Sequence, residues 1–219
     1  MGDFRTFGTS RRVPAVMGQP AVDPAGWEAG DLGPVENWSY RLTPGDCNEL
    51  RDGIAAFHKS GASRVDMEKK LFPLDKFALT LSDVREELRN GRGIVMLRGF
   101  PVDELTREDA AIAFMGLGSH LGAPMSQNKF GHVLGHVTDL GGSYADAETR
   151  GYMTRAEMRF HSDRCDYVSL LCMKTSKTGG ESRVVSSVTV YNHIVKRRPE
   201  LAAALFEDFY RSRSNEVSP

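Results

Sequence analysis

The string Arg159-Phe160-His161-Ser162-Asp163 contains two side chains that can bind a metal ion. On an extended chain, side chains alternate between two faces, so His161 and Asp163 point to the same side. An imidazole nitrogen and a carboxylate oxygen placed in this way can bind one metal ion together. A His-x-Asp triplet also occurs often by chance, and the alternative is an ordinary polar pair on the surface or in the core.

A second candidate site lies downstream, where Gly179-Gly180 predicts a tight turn between two strands. This turn would bring Ser182 back toward the same end of the sheet as His161 and Asp163. Taken alone, the two glycines are better explained as a plain hairpin turn with no role in a site.

The elements that must position these residues follow from apolar spacing and helix-capping signals. Thr43-Pro44-Gly45-Asp46 predicts the start of a helix that ends at Gly61, and Thr106 with Asp109 predicts another that ends near Gly122. Further helices are predicted at 82–90, 188–197 and 199–210. Residues 1–40, rich in glycine and proline, predict an irregular N-terminal arm pinned by Trp27 and Trp38, with the main domain at 41–219.

Short β-branched or alternating runs predict the strands. The apolar run Gly93–Pro101 predicts a strand buried on both faces, in the middle of a sheet. Four more strands are predicted at 133–138, 158–163, 167–174 and 182–185. Because the spacing between these four is too short for a helix in each crossover, the pattern favours a jelly roll with helices packed outside it.

Composition excludes several classes of protein. The 219 residues are 40% hydrophobic and carry 28 basic against 29 acidic side chains, which gives nucleic-acid or membrane-surface binding no electrostatic basis. No apolar run approaches the length of a membrane span. Three cysteines without C-x-x-C spacing predict reduced thiols in a cytoplasmic protein. Gly116-x-Gly118 lacks the third glycine of a dinucleotide-binding loop.

In combination, these motifs resemble the TauD/TfdA-like (taurine dioxygenase-like) family of Fe(II)- and 2-oxoglutarate-dependent dioxygenases. The resemblance rests on the order and spacing of four strings: Gly93–Pro101, His161-Ser162-Asp163, Gly179-Gly180-Glu181-Ser182 and Arg197-Arg198-Pro199-Glu200-Leu201. It covers roughly residues 45–213 and implies a double-stranded β-helix, which is a jelly roll with flanking helices. It also implies that His161 and Asp163 are two of three protein ligands of Fe(II). Ser182, where the family usually has Thr, would hydrogen-bond 2-oxoglutarate.

The implied reaction is the hydroxylation of a small-molecule substrate by O₂, with 2-oxoglutarate converted to succinate and CO₂. The family's third iron ligand, a histidine, and its 2-oxoglutarate-binding arginine have no counterpart before Pro219. We therefore expect a C-terminally truncated dioxygenase in which part of the barrel is missing. The rival interpretation is a non-catalytic jelly-roll remnant or a binding module.

Weaker candidates lie around these motifs. His132 and His136 are four residues apart, which is the spacing of a metal-binding pair on a helix. The adjacent glycines instead predict an extended chain, on which the two histidines would line the barrel or its edge. Cys165 follows Asp163 by two residues and would face the same way, although most such cysteines are small apolar residues. His193 is on a predicted helix, where a surface or capping role is expected. Candidate substrate-facing side chains are Gln127, Asn128, Tyr152 and Glu157.

Overall fold

The computed structural model describes residues 13–127, 131–142, 152, 154–163 and 165–210 of the chain. Within these residues, the regular structure consists of five α-helices, two short strands and several 3₁₀ turns. The helices are α1 (Pro44–Ser60), α2 (Lys76–Asn90), α3 (Arg107–Leu121), α4 (Ser187–Arg197) and α5 (Pro199–Ala202). The strands are β1 (Ser39–Arg41) and β2 (Met96–Arg98). Of the helices described, none is long and apolar enough to cross a membrane.

The predicted starts of α1 and α3 are confirmed. Thr43 Oγ1 accepts a hydrogen bond from the Asp46 N–H at 3.2 Å, and the Asp46 carboxylate accepts one from the Thr43 N–H at 2.7 Å. At α3, Thr106 Oγ1 likewise accepts a hydrogen bond from the Asp109 N–H, at 3.0 Å. Gly61 ends α1 as predicted, with a φ of 66° that glycine adopts without steric cost.

Helix α2 begins at Lys76, before the predicted start at Ser82. A side chain of α1 binds its N-terminal amides, since the Glu49 carboxylate accepts hydrogen bonds from the N–H groups of Asp75, Lys76 and Phe77 at 2.7 to 3.3 Å. A negative charge at the N-terminus of a helix is also stabilised by the helix dipole. The local sequence does not predict this start because the capping residue lies 26 positions earlier.

The core lies where α1, α2 and α3 meet, and the fully buried Phe72 is part of it. Its ring lies directly against the backbone of α1 at Gly53 and of α3 at Gly116. A Cβ would lie 2.7 Å from the ring at Gly53 and 2.3 Å at Gly116, which is well inside van der Waals contact. The first glycine of Gly116-x-Gly118 therefore makes room for an aromatic ring in the core.

The two strands run parallel, with Tyr40 opposite Leu97. The prediction of a doubly buried strand at 93–101 is wrong in length and in burial, because β2 spans only Met96–Arg98 and Met96 is 41% exposed. Leu97 packs partly against the helical core. Within the described chain, β2 pairs with β1 alone, so it is not the middle strand of a larger sheet.

The four later segments predicted as strands, 133–138, 158–163, 167–174 and 182–185, form no paired strand within the described residues. A strand needs a neighbouring strand to complete its backbone hydrogen bonds, and in the part of the chain that the structure describes no such neighbour lies beside these segments. Apolar side chains of these segments remain exposed, as at Phe160, Leu170 and Val184. The double-stranded β-helix therefore remains a prediction, and the described residues form a helical layer with a two-stranded sheet.

The last predicted helices differ in how well they match the structure. Helix α4 matches the predicted 188–197 closely, whereas the predicted helix 199–210 is too long. Helix α5 ends at Ala202, a 3₁₀ turn covers Ala203–Phe206, and residues 207–210 are not helical. Tyr191 of α4 packs edge-on against Phe206 of this turn, with ring centroids 6.0 Å apart.

Candidate functional site

His161 lies in an exposed segment, and one of its ring nitrogens is bonded to the backbone. Nδ1 is 2.8 Å from the carbonyl oxygen of Arg159. Because a carbonyl oxygen can only accept a hydrogen bond, Nδ1 carries the proton and Nε2 of the neutral ring keeps its lone pair. This is the arrangement found in metal-binding histidines, where a bond from one nitrogen orients the other toward the ion.

Asp163 lies beside that second nitrogen. Its Oδ1 is 3.9 Å from His161 Nε2, and the side chains of His161 and Asp163 are 49% and 54% exposed. The structure therefore brings the two side chains to one side of the segment, although no strand forms there. Both side chains are accessible to solvent.

The segment that carries Ser182 follows a turn at Gly179-Gly180. The two glycines have φ values of 71° and 78°, which are unfavourable for other residues. No strand flanks them in the described part of the chain, so a tight turn between two strands stays a prediction here. Ser176 Oγ donates to the Gly179 carbonyl and closes the turn on the other side. Ser182 itself is exposed.

An ion pair connects the two candidate segments. Arg183, next to Ser182, donates to the Glu157 carboxylate, which lies four residues before His161. Both side chains are mostly exposed, so the pair contributes little free energy. It nevertheless places Arg183, next to Ser182, beside Glu157, four residues before His161. The predicted substrate-facing role of Glu157 remains a prediction, and in this structure its carboxylate binds Arg183.

A cavity of about 350 Å³ opens between segments 139–142 and 154–156, ahead of His161 in the chain. The Asp139 carboxylate accepts hydrogen bonds from the Gly141 N–H at 2.9 Å and from Arg155. These bonds, led by that of Gly141, hold the pKa of Asp139 below its ordinary value. Asp139 is therefore ionised at neutral pH and supports the loop around the cavity.

Residues 58–218 match the family described as "Taurine catabolism dioxygenase TauD, TfdA family". The chain belongs to this family. The match includes His161, Asp163 and Ser182, together with the turn that precedes Ser182. It begins in the last turn of α1, so the whole N-terminal arm and most of α1 lie outside it.

Two curated relatives show similarity over most of the chain. FR-33289 synthase of Streptomyces rubellomurinus is 28% identical over 205 residues, which is 93% of this chain and 60% of the relative. Taurine hydroxylase-like protein SAT17 of Stachybotrys chartarum is 25% identical over 194 residues, which is 85% of this chain and 50% of the relative. The chain thus spans between half and three fifths of the length of these relatives.

The remaining histidines of this TauD/TfdA family member lie away from the pair or are bonded elsewhere. His193 lies on α4 with Nε2 3.0 Å from Glu28 Oε1, in agreement with the surface role expected for it. His132 and His136 are exposed in a segment that forms no strand. Among the residues that the structure describes, no three His, Cys, Asp or Glu side chains converge as a metal site.

The other weak candidates have local roles. Cys165 is half-buried, and burial raises the pKa of its thiol. The negative charges of Asp163 and Asp166 raise this pKa further, by a smaller amount. A raised thiol pKa keeps Cys165 protonated at neutral pH and lowers its reactivity. The Gln127 side chain donates to the Met125 carbonyl at 3.1 Å. Asn128 lies outside the described residues.

Sequence reasoning missed the polar face of α4. Ser186, Thr189 and Asn192 are spaced by three and all bond to the N-terminal arm. That spacing was a usable signal, because residues three apart share one face of a helix.

Proposed function

We propose that this chain carries the iron-binding pair and part of the co-substrate site of an Fe(II)- and 2-oxoglutarate-dependent dioxygenase that hydroxylates a small molecule. The observation that carries the proposal is the juxtaposition of His161 Nε2 and Asp163 Oδ1, 3.9 Å apart, in a member of the TauD/TfdA family. One relative is named taurine hydroxylase-like, which supports hydroxylation as the type of reaction.

The donor set suits Fe(II). One neutral imidazole nitrogen and one carboxylate oxygen are the ligand types of the two-histidine, one-carboxylate iron sites, which leave positions open for a 2-oxoacid and O₂. When bound, the iron would supply the oxidation chemistry, which no protein side chain provides. His161 and Asp163 would hold the ion, and the Arg159 carbonyl would keep the His161 ring in the required tautomer.

The remaining part of the proposed site orients the co-substrate. Ser182 would donate a hydrogen bond to a carboxylate of 2-oxoglutarate. In support of this, Arg183, next to Ser182, pairs with Glu157, which lies four residues before His161.

Metal binding by the 219-residue chain tests the proposal directly. We expect Mn²⁺, titrated as an EPR-visible probe, to bind the wild-type chain and to lose this binding in His161→Ala and in Asp163→Asn. Asp166→Asn, a neighbouring carboxylate three residues on, is the matched control and should bind Mn²⁺ like wild type. If both Asp163→Asn and His161→Ala bind the ion normally, neither residue belongs to the site.

Turnover is the second test. We expect succinate formation from 2-oxoglutarate and Fe(II) to depend on His161 and Asp163, and to require a third ligand besides these two. If the 219-residue chain turns over 2-oxoglutarate, substitution of His132, His136 and His193 in turn identifies the third ligand. His193 is the least expected of the three because Glu28 already bonds its Nε2.

A further inference from the structure

The N-terminal arm is bound along one face of α4. Asn192 makes two hydrogen bonds with the backbone of Ala21, accepting from its N–H at 2.7 Å and donating to its carbonyl at 3.0 Å. Thr189 Oγ1 donates to the Trp27 carbonyl at 2.7 Å, and Ser186 Oγ donates to the Ala25 carbonyl. These side chains recognise the backbone of an irregular segment much as a neighbouring strand would.

The arm is folded to fit this face. Asp23 closes a turn with two hydrogen bonds. Its side-chain carboxylate accepts from the Ala25 N–H, and its backbone carbonyl accepts from the Gly26 N–H, both at 2.8 Å. A Cβ on Gly26 would lie 3.3 Å from Val188 Cγ1 of α4, so the backbone of the arm packs closely on the helix. At the end of this stretch, the Glu28 carboxylate bonds His193 at 3.0 Å.

The other side of the arm is fixed to the helical core. Trp27 Nε1 donates to the Arg92 carbonyl at 2.8 Å. Arg92 is itself held by a buried ion pair, its Nε 2.6 Å from Glu87 Oε1, with both side chains at most 3% exposed. The Arg92 backbone N–H also donates to Glu87 Oε1, at 3.1 Å, so the backbone that Trp27 binds is itself tied to α2.

Helix α4 has a direct covalent connection to the Ser182 segment. Ser186, the N-cap of α4, is 6% exposed and comes four residues after Ser182. Four residues of chain reach at most about 14 Å, so the position of α4 limits where Ser182 can lie. Of the described helices, α5 is the one against which α4 packs most extensively, and α5 is not part of the helical core.

We propose that residues 21–28, here named the strap, set the position of the segment that carries Ser182 by fixing α4 to the helical core through Trp27. Thr189 and Asn192 are then positioning residues for Ser182. The functional meaning of this arrangement rests on the proposed co-substrate site, whereas the positioning itself does not. The strap would act on 2-oxoglutarate binding without touching the ligand.

The first step of this proposal is that the strap fixes α4 to the helical core. Hydrogen exchange measured by mass spectrometry on the 219-residue chain tests it. Thr189→Val removes the donor to the Trp27 carbonyl while keeping the side-chain shape, and Thr189→Ser keeps the donor. Loss of one hydrogen bond should speed amide exchange in α4 about two- to tenfold in Thr189→Val, with α1 and α3 unchanged. Thr189→Ser should exchange like wild type. Equal acceleration in α1 and α3 would show a general loss of stability and overturn the proposal.

The second step is the position of residue 182, read as a distance. Nitroxide labels at Ser182→Cys and Asp52→Cys, with the three native cysteines replaced by serine, report the distance between the segment and α1 by pulsed EPR. We expect Thr189→Val combined with Asn192→Leu to broaden this distance distribution, and Thr189→Ser to leave it narrow. An unchanged distribution in the double variant, with α4 exchange accelerated, would overturn the positioning role.

A ligand titration separates this proposal from the proposed function. If Ser182 binds 2-oxoglutarate, Thr189→Val should raise the apparent Kd for 2-oxoglutarate in the presence of Fe(II), and Thr189→Ser should restore it. If the wild-type chain binds no 2-oxoglutarate but the distance distribution still broadens in the double variant, the co-substrate site is wrong and the strap stands.

Discussion

At the scale of single residues, His161 illustrates what a sequence motif contains and what it omits. The His-x-Asp spacing predicts two donors on one side, and the structure has them 3.9 Å apart. The motif does not reveal which ring nitrogen is free to bind a metal, because that depends on the Arg159 carbonyl at 2.8 Å from Nδ1. The chemistry of the pair therefore depends on a backbone group that no sequence pattern specifies.

Ser182 gives a prediction at this scale. Ser182→Ala should weaken apparent 2-oxoglutarate binding by about 1–2 kcal/mol, since it removes one hydrogen bond to a charged group. Metal affinity should stay the same, because Ser182 is not a ligand. Titration of the absorption band formed by Fe(II) with 2-oxoglutarate measures the first effect, and Ser182→Thr, which keeps the hydroxyl, is the control. Equal midpoints for wild type and Ser182→Ala would remove Ser182 from the site.

His120 gives a prediction about stability and pH. It is 7% exposed, its Nε2 lies 2.8 Å from the Phe72 carbonyl oxygen, and its Nδ1 has no partner among the described residues. Burial lowers the pKa of His120 below 6.5, against the hydrogen bond to Phe72, which raises it. The unfolded chain therefore takes up a proton at a higher pH than the folded protein does, so stability is lost as the pH falls below about 6.5.

His120→Gln should flatten that dependence. The free energy of unfolding in urea, measured between about pH 5 and pH 7, should vary less in His120→Gln than in wild type. The same substitution at the exposed His136 should leave the wild-type slope in place. If His120→Gln and wild type have equal slopes, His120 is not the group that titrates.

At the scale of elements, helix ends were predictable only where the cap is local. Thr43 with Asp46 and Thr106 with Asp109 are capping pairs within one turn, and both helices begin where the sequence predicts. Helix α2 begins earlier than predicted because Glu49 of α1 caps it. Strands were the least predictable elements, since β-type residues at 133–185 form a strand only if another strand pairs with them.

The packing of Phe72 against α3 predicts opposite effects for two glycines of one helix. Gly116→Ala would place a methyl group 2.3 Å from the Phe72 ring and should destabilise the protein by about 1–3 kcal/mol. A Cβ at Gly118 meets nothing within 4 Å, so Gly118→Ala should stabilise it by about 0.5–1 kcal/mol through helix propensity. Urea unfolding of both variants checks the pair. A loss of stability in Gly118→Ala would contradict the prediction that the gain in helix propensity decides the effect at this open position.

At the scale of the whole molecule, the described residues divide into a packed helical part and a poorly covered part. The helical part has a buried core with Phe72, Phe77, Leu50 and Leu81 fully buried. The part from 133 to 185 exposes apolar side chains, among them Val137 at 69% and Leu170 at 72%. Exposed apolar residues together with unpaired extended segments favour association with another protein surface.

We therefore expect the 219-residue chain to self-associate as its concentration rises. Phe160→Ser combined with Leu170→Ser should reduce this association, because it removes two large exposed apolar side chains. Leu79→Ser, at an equally exposed leucine on α2, is the control and should have little effect. Sedimentation velocity over a range of concentrations measures the association, and a purely monomeric wild-type chain would contradict the prediction.

The hydrogen bonds between Ala21 and Asn192 have a consequence for the order of events during synthesis. They join residues 171 positions apart, so the ribosome makes the strap long before it makes α4. At a synthesis rate of roughly 5–20 residues per second, about 10–35 seconds pass between synthesis of the strap and synthesis of α4. During that interval α1, α2 and α3 can form and pack, and Trp27 can already reach the Arg92 carbonyl. Helix α4 would then dock onto a segment that is already in place.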